Sequence, residues 1–169
     1  MARGDEEFVE FARASSARLQ HAAYLLTGDR HDAEDATQTA LARTYAAWSR
    51  VRKSDAYSYA RTVLANLVID QWRRPLREYA TEHLPDQAAP HDMADEVARR
   101  RWLIAALAVL SPRERAVIVL RHYLDVPEAE VAKELDLSVG TVKSLNSRGL
   151  AKLRIPAQRE ARRESGARR

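Results

Sequence analysis

Apolar residues recur along most of this chain at three- and four-residue intervals, the period of helices that bury one face. Phe8, Phe11, Leu19, Ala22, Ala23 and Leu26 make the first stripe and predict a helix over 5–26. Thr27-Gly28-Asp29 ends it, with Gly28 suited to a left-handed C-cap. Ala33, Ala36, Ala40, Leu41, Thr44 and Trp48 predict a second helix over 32–48, with Glu34, Asp35, Gln38 and Arg43 facing elsewhere. A short basic loop follows, with Arg50, Arg52 and Lys53. A third helix over 55–74 is stopped by Pro75; Ala56, Ala60, Val63, Leu64 and Leu67 form its core face, and Trp72 is expected to plug the core. Residues 76–95 hold Pro85, Pro90 and scattered acids with little periodicity, the composition of a linker.

Beyond it, Trp102, Leu103, Ala106, Leu107 and Leu110 predict a core-facing helix. Ser111-Pro112-Arg113-Glu114 is a capping box with proline at the first helical position, and it launches a helix through Tyr123. Pro127 opens a short helix with Val131, Ala132 and Leu135 inward. Ser138 is a good N-cap for the next helix, Val142 its apolar anchor. A small Ala132 beneath a tight turn and a second helix rich in Thr141, Lys143, Ser144, Ser147 and Arg148 read as a helix-turn-helix, an element that enters a major groove. The pattern predicts an all-α chain: two small helical domains, 1–75 and 96–156, joined by a flexible linker over 76–95. The basic tail 157–169 lacks an apolar stripe and is expected to be disordered.

Composition narrows the function. The chain has 169 residues, no cysteine, five glycines, six prolines and a formal net charge of +4. Disulfides and thiolate chemistry are excluded. No secretory signal and no run long enough to span a membrane is present, which places the protein in the cytoplasm with no membrane partner. From Arg148 onward eight Arg or Lys stand against Glu160 and Glu164, so basic charge gathers where a phosphate-facing surface needs it. The five histidines have no metal-ligand spacing. There is no phosphate-cradling glycine loop and no nucleophile–base pair, so nothing supports an enzyme, a metal or a cofactor.

On the third helix Tyr59, Thr62, Asn66, Asp70 and Arg73 share a face away from the core. A ring to stack on, an amide to read base edges and a cation for the backbone suit single-stranded nucleic acid. The alternative for Asn66 is an ordinary polar position bonded to a neighbouring loop.

These pieces, in this order, resemble the extracytoplasmic-function class of sigma-70 family RNA polymerase sigma factors. Asp32-Ala33-Glu34-Asp35-Ala36-Thr37-Gln38 resembles the helix that binds the polymerase clamp. Asn66-Leu67-Val68-Ile69-Asp70-Gln71-Trp72-Arg73-Arg74 resembles the promoter-melting helix, and 110–117 with 138–144 the domain that reads the −35 element. Tyr59, Arg61, Leu64, Asn66 and Trp72-Arg73-Arg74 are similar to an actinobacterial SigE-like subgroup. The resemblance implies an alternative sigma factor that binds core RNA polymerase at its clamp coiled coil and flap and directs it to promoter DNA. Glu34, Asp35 and Gln38 would bind the clamp. Tyr59, Thr62, Asn66, Arg73 and Arg74 would capture the opened −10 strand. Arg121, Thr141, Lys143, Ser144, Ser147 and Arg148 would read the −35 duplex. An anti-sigma factor is a common partner in this class, though no residue here reveals one.

Four positions depart from the family's habit. Thr39 stands where an acid often follows the clamp glutamine, Asp136 where the turn usually has glycine, and Leu145 where arginine often follows Lys-Ser. Pro127 replaces a capping serine, leaving Asp125 as the nearest cap. Asp tolerates left-handed backbone better than most residues, so the turn is expected to survive. Two other functions stay open on the sequence: a self-sufficient helix-turn-helix regulator, and an adaptor that binds polymerase without directing promoters.

Overall fold

The computed structural model describes residues 3–73 and 91–166, and among these it contains helices and turns but no strand. The first domain is three packed helices, α1 (Arg3–Thr27), α2 (Arg30–Ala46) and α3 (Ala56–Arg73). Gly28, at φ +79°, ends α1. Asp29 then caps α2, its Oδ1 accepting from the backbone N–H groups of His31 and Asp32 at 2.8 and 3.0 Å. The inner stripe of α2 is nearly all alanine: Ala33, Ala36 and Ala40 are buried beside Thr37 and Thr44. The two threonine hydroxyls return to the carbonyls of Ala33 and Ala40, each at 2.7 Å, so neither is left unpaired in the core. At the far end Trp48 meets Phe8 and Phe11, with ring centroids 5.1 and 5.2 Å apart.

The second domain comprises α4 (His91–Leu107), α5 (Pro112–Ile118), a π-helical turn over Val119–Tyr123, α6 (Glu128–Glu134) and α7 (Val139–Gly166). The capping box forms as expected: Glu114 N–H donates to Ser111 Oγ at 3.3 Å and Ser111 N–H to Glu114 Oε2 at 3.0 Å. Gly149 lets α7 cross close over α5; a Cβ there would lie 2.9 Å from Ile118 Cγ1.

Several expectations are corrected. α4 begins at His91, inside the stretch assigned to the linker. Trp102 and Leu103 are 41 % and 37 % exposed; Ala106, Leu107 and Leu110 carry the buried stripe instead. Trp72 is 51 % exposed rather than a core plug, because it lies near the end of α3, beyond the reach of the bundle. Asp125 caps nothing: it sits at φ 53°, and α6 starts at Pro127 without a side-chain cap. α7 runs through Pro156 to Gly166, where disorder was expected. Proline removes one helical hydrogen bond, but Ala, Gln, Arg and Glu beyond it are strong helix formers. Residues 74–90, which include the remaining linker positions, lie outside the described residues, as do the first two and the last three.

The two domains pack together. α3 buries a second face: besides Ala56, Ala60 and Leu64, it buries Ala65, Val68, Ile69 and Arg61. Ala60, Leu64, Ala65, Val68 and Ile69 join one continuous core with Ala116, Val117 and Leu120 of the second domain.

Candidate nucleic-acid interface

The helix-turn-helix is built as its sequence predicts. Asp136 takes φ 53°, the left-handed conformation the turn requires. Leu137 N–H then reaches back to Ala132 O at 2.8 Å. Ser138 caps α7, its Oγ accepting from Thr141 N–H at 3.0 Å. Val142 is fully buried and Leu145, one turn on, is 6 % exposed. Leu145 therefore faces the core, and its departure from the family's arginine takes nothing from the exposed face. Thr141, Lys143, Ser144, Ser147 and Arg148 are exposed and line one open groove. Donors and cations aligned on one solvent face can meet both phosphates and base edges.

Arg121 does not join that face. Its Nη1 donates to Val126 O at 2.6 Å, holding the loop before α6, and its Nε is buried. Asn146 is bonded to His122 Nε2 at 2.8 Å, which ties α7 to the π turn. Lys152 Nζ donates to Glu114 Oε2 at 2.7 Å. Burial pushes the Glu114 carboxyl up, but Lys152 and the Ser111 N–H outweigh this and hold it below its ordinary value.

On α2, Glu34, Asp35 and Gln38 are exposed together, with Gln38 Nε2 donating to Glu34 Oε1 at 3.5 Å. Thr39 is exposed beside them in a groove completed by Arg43 and by Leu67, Asp70 and Gln71 of α3.

The predicted strand-capturing face is in part covered. Tyr59 is exposed and Thr62 half-buried. Asn66 Nδ2 donates to Thr62 O at 3.0 Å and, across the domain boundary, to Glu134 O at the end of α6 at 2.9 Å. The side chain of Arg73 and all of Arg74 lie outside the described residues. Sequence reasoning missed the group beside Asn66. Arg61, only 8 % exposed, pairs through Nη2 with Glu134, and through Nε with the same carboxylate at 3.2 Å. It also donates to Glu130 Oε1 at 3.0 Å, and Ser58 Oγ donates to Glu130 at 3.3 Å. The signal available was a cation set among Ala60, Val63, Leu64 and Ala65, where only a paired charge is stable. A second link is Arg115, whose Nε donates to Leu25 O at 2.7 Å, one of the carbonyls α1 leaves open at its C-terminus. Burial brings the Arg115 guanidinium down to about 10, so it remains charged at neutral pH.

Comparison with known proteins agrees with this geometry. Residues 11–78 match the family model for Sigma-70 region 2, and residues 100–153 that for Sigma-70, region 4. The chain is 43 % identical over 157 residues to the RNA polymerase sigma-E factor of Streptomyces avermitilis, covering 91 % of this chain and 87 % of that one. Two solved structures share the fold. The sigma factor RpoE in complex with the anti-sigma factor NepR, from Bartonella quintana, aligns with a TM-score of 0.68 at 22 % identity, over 90 % of this chain and 98 % of that one. CnrH in complex with the cytosolic domain of CnrY aligns with a TM-score of 0.64 at 21 % identity, over 89 % and 87 %. With both of its domains matched and a relative this similar along nearly its whole length, the chain belongs to the sigma-70 family of RNA polymerase sigma factors, in the extracytoplasmic-function class.

Proposed function

We propose that this alternative sigma factor, which directs transcription initiation, divides promoter recognition between its domains. The face of α7 bearing Thr141, Lys143, Ser144, Ser147 and Arg148 reads the −35 duplex. Arg121 serves that reading by holding the loop before α6. Asn66, helped by Tyr59, Thr62, Arg73 and Arg74, captures the non-template strand of the opened −10 element. Glu34, Asp35 and Gln38 dock on the clamp coiled coil, and the second domain meets the flap. The chain supplies binding energy and strand separation, with no catalytic group of its own, and it works in the cytoplasm. An anti-sigma factor is a further partner, as the solved RpoE structure has one in NepR.

The observation that supports this reading best is the open polar face of α7, capped at Ser138 and anchored by Val142. The test is run-off transcription from a genomic promoter library with core RNA polymerase. Defined starts that core alone lacks are expected, with their −35 and −10 preferences. Tight duplex binding by the chain alone, without any core binding, would overturn the reading in favour of a self-sufficient regulator. Within the holoenzyme, Asn66→Ala is expected to slow open-complex formation more than initial promoter binding; equal loss in both would remove Asn66 from strand capture.

A further inference from the structure

One shoulder of the α7 reading face is built by a different element. Asn146 stands three residues after Lys143, about 60° further round a helix of 3.6 residues per turn. His122 of the π turn docks on it, Nε2 to Asn146 Oδ1 at 2.8 Å, while the imidazole itself stays exposed. The turn that carries His122 is set by the bond from Leu124 N–H back to Val119 O at 3.1 Å, and such π turns are rare in helices and recur at functional sites. An amide oxygen can only accept, so Nε2 carries its hydrogen and the tautomer is fixed. Nδ1 is then the nitrogen that gains and loses the proton. It has no hydrogen bond among the described residues, and the ring makes no ion pair there.

We propose that His122 is a further duplex-binding residue, which as the imidazolium donates from Nδ1 to a backbone phosphate at the wall of the major groove. The proposal rests on the reading of α7 as the helix that enters that groove.

Size and charge both support it. A helix with its side chains is about 10–12 Å across, and the groove is about 12 Å wide and 8.5 Å deep. A helix that fills the groove brings its shoulders level with the phosphates on the rim, where contacts fix register without reading sequence. Nε2 is already engaged by Asn146, so the imidazolium has one N–H left, and phosphate is the anion a duplex brings to it. The surrounding charges are mostly committed elsewhere. On the turn itself Arg121 is held by Val126 O, and Asp125 makes no ion pair among the described residues. On α5, Glu114 is taken by Lys152 and Arg115 by Leu25 O. On α6, Glu130 and Glu134 are taken by Arg61. On α1, the His21 ring lies 5.0 Å from that of Tyr123; burial, with Arg100 nearby, holds its pKa below the ordinary value and keeps it uncharged at neutral pH. On α7, Lys143 offers a second cation to the same rim. A phosphate beside the ring favours the charged form, so duplex binding takes up a proton. Imidazoles change charge between about pH 5 and 8, and binding therefore strengthens as pH falls through that range.

The test is an anisotropy titration of the full chain at pH 8 and at pH 6. The probe is a pool of random duplexes of roughly 24 base pairs labelled with tetramethylrhodamine, since phosphate contacts carry no sequence information. Between pH 8 and pH 6 the wild type is expected to gain about tenfold more affinity than His122→Gln, the factor of one charge-assisted hydrogen bond. Glutamine can still donate to Asn146 Oδ1 but takes up no proton, so a merely structural tie would survive in it. The slope of log affinity against log salt should be steeper in the wild type than in His122→Gln by about 0.9 at pH 6, and equal at pH 8. His122→Arg, a permanent cation, should bind as tightly at pH 8 as the wild type does at pH 6. His21, His31, His83 and His91 are common to all three proteins and cancel. Equal gains in the wild type and His122→Gln, with equal salt slopes at pH 6, would overturn the proposal. K143A/R148A separates the two readings: unchanged affinity and slope at pH 8 would remove α7 from the groove, whereas a loss there without any His122 increment removes His122 alone.

Discussion

Replacing Gly149 by alanine tests whether the recognition helix owes its position to one missing methyl group. In isolation the change favours α7, since alanine in a helix interior is better than glycine by roughly 0.5–1 kcal/mol. The packing opposes it. The new Cβ would lie 2.9 Å from Ile118 Cγ1 and 3.1 Å from Ile118 Cδ1. Ile118 is 6 % exposed and branched at Cβ, so its χ1 has little freedom to move the clashing carbons aside. Overpacking of this kind costs typically 1–3 kcal/mol, which leaves a net loss of about 1 kcal/mol. Urea denaturation should show a lower midpoint with an unchanged slope. A cycle with Ile118→Ala isolates the clash: the double variant should be less destabilised than the sum of the singles, by about 2 kcal/mol. Arg148 adjoins Gly149, so −35 duplex binding should weaken alongside stability. A Gly149→Ala protein as stable as the wild type, with additive behaviour in the cycle, would refute the argument.

Other consequences can be measured directly. Glu114 titrates below its ordinary value of 4.5 in the folded chain, so the stability it contributes is present above that value and is lost as pH falls through the lower, folded one. Thermal melts between pH 7 and pH 3 should show a steeper acid loss for the wild type than for Glu114→Gln, and equal slopes would contradict the assignment. Asp136, at φ 53°, should accept glycine without loss, whereas Asp136→Val should cost roughly 1–2 kcal/mol in chemical denaturation. Arg148→Ala should weaken −35 duplex binding by about 1–3 kcal/mol if the guanidinium reads a base. A loss that is the same across −35 sequence variants would make it a phosphate contact only.

The features legible in the sequence are those that a few neighbouring residues decide. The capping box at Ser111, the alanine stripe of α2, and the turn at Asp136 with its cap at Ser138 are local, and each forms as its residues dictate. What periodicity misreads is set by distant partners. α3 has one obvious apolar face, yet Arg61, Ala65, Val68 and Ile69 are buried on another because the second domain covers it. One-dimensional spacing carries no sign of a partner more than seventy residues away. The same limit explains Trp72, Trp102 and Leu103, whose apolar surfaces suit a core that does not extend to them. Of the site residues, the α7 face is legible because Val142 fixes its register. Arg121 is not, since its position on the helix gives no sign that Val126 O would take its guanidinium.

The bond between Arg61 and Glu134 spans 73 residues of chain, which gives the molecule a history during synthesis. Translation proceeds at about 5–20 residues per second and domains fold as they emerge, the N-terminal one first. α3 therefore leaves the ribosome roughly 4–15 seconds before α6 arrives to cover it. For that interval the newborn first domain carries an Arg61 without its carboxylate partners and an Asn66 bonded only within α3, among the ribosome's own RNA.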